Sequence, residues 1–216
     1  MDTIWAEIPT GYFPLPIDDL EASMARAEEV LTELAPDELR STIAPVVSTL
    51  TVLLRELAAR NTLYCGVGHH LSAVDGSVVT SSLVLAHQDV GEKRNPRLVL
   101  GDLARMKADA GERGQADLVD VAGRPMFFFE RTRQLPTPRL PGRPEVPEDS
   151  LSPVFQLEAV VPSDDGSELV AIDFSTPQEA YGPEFRAMVV QLAASVSFEP
   201  PVAEDGAAAV GQRLDG

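Results

Sequence analysis

Apolar and polar residues alternate with a period of two in three places along the chain, and each time a turn signal separates a pair of such runs. Leu63, Cys65, Val67 and His69 alternate with Tyr64, Gly66, Gly68 and His70, and a second run from Val78 to Ala86 follows Asp75-Gly76. Leu118 to Val121 and Met126 to Arg133 flank Gly123-Arg124-Pro125. Phe155, Leu157, Ala159 and Val161 alternate with Gln156, Glu158 and Val160; beyond Asp164-Asp165-Gly166, Leu169, Ala171 and Asp173 alternate with Val170, Ile172 and Phe174. This spacing predicts three β-hairpins. The unbroken apolar run Met126-Phe127-Phe128-Phe129 predicts a strand buried on both faces.

Elsewhere the period lengthens to that of a helix. Leu20, Met24, Ala27, Val30, Leu31 and Leu34 recur at three-and-four spacing behind Asp18 and Asp19, either of which can cap the segment. Pro36 suits the first turn of a second helix, where Leu39, Ile43, Val46, Val47, Leu50, Leu53, Leu54 and Leu57 form a broad stripe. Pro45 is expected to kink or restart that helix near Thr42. A third helix follows Asn95-Pro96, and a fourth, opened by Pro183, carries Phe185, Met188, Val189, Leu192 and Ala193. Val196 and Phe198 are expected to close the fold as a short strand before Pro200-Pro201. Residues 1–17 place Trp5, Tyr12 and Phe13 among Pro9, Pro14 and Pro16, which predicts an edge strand and an extended arm. The sum is a single α+β domain over 1–201: an antiparallel sheet of about six to seven strands flanked by helices, two of them N-terminal. Residues 202–216, an acidic tail, are expected to be disordered.

Charge narrows the partners. The formal net charge is -17, from 34 acidic and 17 basic residues, with no block of basic residues, so nucleic acid is excluded as a partner and anionic membrane surfaces are disfavoured. No apolar run approaches the ~20 residues of a membrane span. Cys65 is the sole cysteine, so neither an intrachain disulfide nor a thiolate metal cluster is expected. Without a recognisable secretory signal, a reducing cytoplasmic location is the expectation. Fifteen arginines against two lysines indicate a GC-rich coding sequence of the kind actinobacteria have.

The chain's three histidines, His69, His70 and His87, fall on one predicted hairpin with Cys65 and Asp75. Zinc requires three or four converging ligands, and adjacent strand residues point to opposite faces, so at most one of His69 and His70 can join Cys65. Pairing through the turn places His69 near Thr80 or Ser81 and His87 near the far end of the partner strand. A lone strand Cys is ordinarily a small buried hydrophobe. No Gly-x-Ser-x-Gly elbow, phosphate-binding Gly-Lys-Ser/Thr loop or dinucleotide fingerprint is present; Gly66-Val67-Gly68 lacks the third glycine and the helix. Asp164, Asp165 and Glu168 read as a solvated turn and not a calcium loop. Six prolines between 136 and 153 predict an extended loop in which Pro138-Arg139-Leu140-Pro141 has bare PxxP spacing.

The opening Ile-Pro-Thr-Gly-Tyr-Phe, the hairpins, and the ending from Ser167 to Pro201, with Leu169 to Phe174, Phe185 to Ala194 and Ser195 to Phe198 as strand, helix and strand, resemble the α/β/α sandwich of PsbP-like and Mog-like proteins. The helices over Asp18 to Arg60 depart from that pattern as an insertion. The resemblance implies an accessory, protein-binding role without a shared catalytic site. The expected function is a non-catalytic cytosolic binding module, secretion-associated or toxin-neutralising, with an acidic face for a basic partner and no cofactor or metal. Trp5, Tyr12, Phe13, Arg139 and Leu140 are its candidate anchors. The alternative is a metal-dependent or small-molecule enzyme built on His69, His70 and His87. The apolar stripe from Leu39 to Leu57 also admits a homo-oligomer.

Overall fold

A computed structural model describes residues 4–137, 147, 149–200 and 212–214. Seven strands form one antiparallel sheet: β2 (Tyr12–Pro14), β3 (Thr62–Leu71), β4 (Val78–Asp89), β5 (Gln115–Val121), β6 (Arg124–Pro136), β7 (Leu151–Pro162) and β8 (Glu168–Thr176), in the order β2-β3-β4-β8-β7-β6-β5. The three hairpins predicted from alternation are β3-β4, β5-β6 and β7-β8. Joining β4 to β8 makes them continuous, with Leu83 opposite Phe174 and Leu85 opposite Ile172. Four helices, α1 (Leu20–Leu34), α2 (Asp37–Ala58), α3 (Pro96–Asp109) and α4 (Arg186–Ser195), complete an α+β fold.

The alternation explains the layers. One sheet face contributes Leu83, Leu85, Phe155, Leu157, Ile172 and Phe174 to the main core, roofed by α4 and the 3-10 helix Glu179–Phe185 before it. Fully burying each such side chain contributes about 1.5–3 kcal/mol. The opposite face is divided. α3 lays Val99 and Leu100 on Phe127, Phe129, Val160 and Leu169, while α1 and α2 lay Leu20, Met24, Val47 and Leu54 on Cys65 and Val84. The aromatic run of β6 is buried on both sides as its pattern predicts, Met126 and Phe128 toward α4, Phe127 and Phe129 toward α3. Asn95 caps α3 by accepting from the Arg97 amide at 2.9 Å, and Arg124 donates to the carbonyls of Ala194 and Val196 at the end of α4.

Four expectations change. Pro45 does not interrupt α2, which runs unbroken through it. The carbonyl its missing N–H leaves unpaired is that of Ser41, and both residues face solvent, where water can satisfy the oxygen. α2 passes as a candidate membrane span by length and composition alone, a test that a helix packed in a core also passes, so this expectation shifts only in that a single such helix is present among the described residues. Val196 to Phe198 form no strand: Ser197 makes one isolated bridge, exchanging 2.9 Å hydrogen bonds with Trp5 in both directions. Trp5 belongs to β1 (Ile4–Ala6), whose ladder runs to β9 (Gln212–Leu214). Three residues of the tail expected to be disordered are therefore a strand, with Leu214 buried in the main core. An apolar Leu214 among polar neighbours is what holds the return.

Candidate functional site

The two ends of the sheet are unequal. β2 is a three-residue edge broken by Pro14, a short and protected boundary. β5 is seven residues long, pairs among the described residues only with β6, and is exposed at every position except Val121. Its outer row of amides and carbonyls is the kind of template to which an extended segment can add. Beside it a groove of about 400 Å³ opens between β5 and α4. Val119, Val121, Phe128, Leu157 and Val190 supply its apolar surface; Asp117, Glu130 and Arg186 its polar rim. Arg186 grips Glu130 through two hydrogen bonds of 2.5 and 2.6 Å, which fixes that wall. On the other side of the strand, Arg97 holds Asp120 at 2.6 and 2.7 Å.

The aromatic anchors proposed from sequence do not gather there. Tyr12 is packed, its ring 4.9 Å from the His70 ring and its hydroxyl 3.0 Å from the Ser81 hydroxyl. Burial pushes its phenol up to about 12. The ring of His70 continues this stack to Phe185 at 5.3 Å, and desolvation, then the neighbouring His69, lowers its pKa. Gly68 makes room for the stack: a Cβ there would meet the His70 Nε2 at 2.4 Å and Tyr12 Cε1 at 2.8 Å. Trp5 is half-buried beneath its bridge to Ser197. Only Phe13 among these three stands out, 65% exposed and edge-on to His69. Arg139 and Leu140 lie outside the described residues.

The histidines fan out as strand geometry requires. His69 faces Thr80 in register, as expected from the turn, on the face opposite His70. His70 pairs with Val79 and His87 lies eight residues further along β4, about 26 Å at strand rise. His87 is instead 3.1 Å from Glu168 across the β4-β8 pair. Among the described residues no three His, Cys, Asp or Glu side chains converge as metal ligands. Burial raises the Cys65 pKa, keeping it a protonated thiol under α1 and α2.

A polar strip that the sequence reading missed crosses the divided face between the two helical covers. Register aligns Val84, Asp173, Glu158 and Phe129 in one row and Ser82, Ser175, Gln156 and Arg131 in the next. Lys107 of α3 donates to Glu158 at 2.6 Å over the Phe129 ring, and Arg131 joins Gln156 at 3.0 Å and also Glu112. Desolvation against the sheet, then the Glu158 carboxylate across the strand pair, pushes the Asp173 carboxyl up to about 6. Lys107 pairs with Glu112 and Glu158 and Arg131 with Glu112, so these four close on themselves as an ion-pair network, with Asp173 beside it making no ion pair of its own among the described residues. The alternation of Glu158 and Asp173 with core residues was the signal available; only the gap between helices turns it into a cluster.

Asp173 makes the strip testable. A folded-state pKa above the unfolded value means that the native protein holds the proton more tightly, so stability falls as pH rises from about 4 to about 6. Because the Asp173 side chain is exposed to water, solvent screening cuts the effect, and at neutral pH it is expected not to exceed about 1 kcal/mol. Asp173→Asn should raise the urea midpoint at pH 7.5, with the gain shrinking toward pH 4; a gain independent of pH contradicts the assignment.

Comparison of the sequence with protein-family models and with curated proteins finds no match to either.

Proposed function

We propose that the protein is a non-catalytic binding module that takes up an extended segment of a basic protein partner alongside β5. The observation that carries this reading is the open seven-residue edge with an apolar groove running beside it. Backbone pairing along β5 supplies affinity, and alternate side chains of the added strand enter the groove between Val119 and Val190. A net charge of -17 steers a basic segment to the surface and speeds encounter more than it tightens the complex. The resemblance to PsbP-like and Mog-like proteins implies the same accessory role. A reducing cytoplasm suits the buried thiol of Cys65.

Val119→Lys tests it, since the residue is 41% exposed and its replacement puts a cation in the groove without opening the core. Affinity capture from the native host, followed by mass spectrometry, should recover a basic protein with the wild type and at least tenfold less of it with the variant, at an unchanged circular dichroism spectrum. Equal recovery by both forms, or recovery of acidic proteins alone, contradicts the reading.

A further inference from the structure

We infer that two copies of this chain pair through α2, antiparallel, with Val46 at the two-fold axis. α2 has 22 residues, about 33 Å of helix, yet only Val47 and Leu54 are buried. Arg40 and Arg55 bracket a segment, Ser41 to Leu54, without a single charge, in a chain of net charge -17. Leu39, Val46 and Leu53 recur every seven residues and so share one helix face, where they are 45%, 48% and 55% exposed. The surface continues onto the end of α1, where Leu31 and Leu34 are 49% and 76% exposed, and a groove of about 340 Å³ lies between the two helices. A monomer seldom leaves contiguous apolar surface beyond a few hundred Å² uncovered.

Symmetry and charge select a second copy as the cover. The uncharged face of α2, about 33 Å long and about 10 Å wide and widened at one end by the last turn of α1, offers roughly 400 Å² per copy, half of the ~800 Å² each partner brings to a standard interface and the size of a weak, concentration-dependent pair. An isologous contact must be complementary to itself. About Val46 it is: antiparallel pairing sets Leu39 of one copy against Leu53 of the other. At the ends Arg40 is held by Asp37 at 2.8 Å and Arg55 by Glu21 at 2.6 Å within each chain, so the charges flanking the apolar face are already neutralised and do not oppose the pair. A basic partner would find no carboxylate along Ser41 to Leu54, and a bilayer with anionic lipid repels a chain of this charge. Two such acidic chains can approach one another only where charge is missing.

The test is mass against concentration, from about 1 to about 100 µM, by sedimentation equilibrium on the full chain. The wild type should rise to twice 23.2 kDa. Val46→Glu should weaken pairing at least tenfold with an unchanged circular dichroism spectrum, because the site is on the surface, and should keep whatever binding β5 supports. Val46→Cys should form a covalent dimer under diamide, and a mixture of Leu39→Cys and Leu53→Cys chains should cross-link more than either alone. A wild type of single mass at about 100 µM overturns the inference, as does Val46→Glu pairing like the wild type. Cross-linking by Leu39→Cys alone overturns the antiparallel arrangement. A monomer that sediments with phosphatidylcholine vesicles assigns the face to lipid and overturns it too.

Discussion

Phe174→Ala is expected to lower folding stability by about 3–5 kcal/mol, the largest effect of any single truncation in this fold. The side chain is fully buried on β8, at the middle of the seven-strand sheet. Its ring meets Phe155 edge-on at 6.3 Å and stacks on Phe185 at 5.1 Å, so it joins the sheet to the turn that delivers α4. Removing it takes away the transferred area and leaves a cavity that two flanking rings cannot collapse into without leaving their own contacts. Against a typical total of about 5–15 kcal/mol, such a loss brings the protein close to unfolding at room temperature. Urea denaturation followed by tryptophan fluorescence measures it, with a midpoint shift of about 2 M for a slope near 2 kcal/mol/M. A loss under 1 kcal/mol would mean that the aromatic cluster is not the centre of the core.

The second large effect comes from adding one carbon. Gly182 lies in the 3-10 helix directly over Phe155, and a Cβ there would fall 2.2, 2.4 and 2.6 Å from Cγ, Cδ1 and Cδ2 of the ring. Those atoms are the fixed base of the ring, 3% exposed, so the turn has to lift or the ring has to leave. Gly182→Ala should therefore destabilise by about 2–3 kcal/mol, the upper part of the range for overpacked cores. Shrinking the ring in Gly182→Ala/Phe155→Leu should cost less than the sum of the two single changes, because the variants share the clash. Strict additivity in that double-mutant cycle would place the strain elsewhere. Since α4 forms one wall of the β5 groove, Gly182→Ala should also loosen that wall, which amide hydrogen exchange on Val190 would report.

Most strands and helices could be read from the order of residues because each carries its own period. The three hairpins, α1, α3 and α4 have apolar spacings and turn residues that agree with one another, and local agreement of this kind leaves little for distant contacts to alter; of the caps, Asn95 forms at α3, while Asp19, at φ 46°, makes no side-chain hydrogen bond to α1. Where the reading failed, distant contacts made the decision. Pro45 is a helix breaker by local rules, but α2 turns it to solvent. Val196 and Phe198 have strand-like alternation, yet β1 is engaged by Gln212–Leu214, and only Ser197 finds a partner. Leu214 gave no sign of its burial because its partner strand lies more than two hundred residues earlier in the chain.

The candidate surfaces divide in the same way. From the sequence alone come the acidic balance, the single thiol, the separation of His69 from His70, and the apolar stripe of the second helix, all properties of composition or of neighbours a few residues apart. Which strand ends the sheet was decided only when β4 met β8, since antiparallel hairpins can be joined in several orders with identical local patterns. That choice left β5 open and Pro14 guarding the other edge. It also set α1 and α2 apart from α3 on one face, so that Glu158 and Asp173 came to share a strip and Leu39, Val46 and Leu53 stayed uncovered. Periodicity states which side of an element is apolar; only the packing of whole elements determines how much of that side is covered.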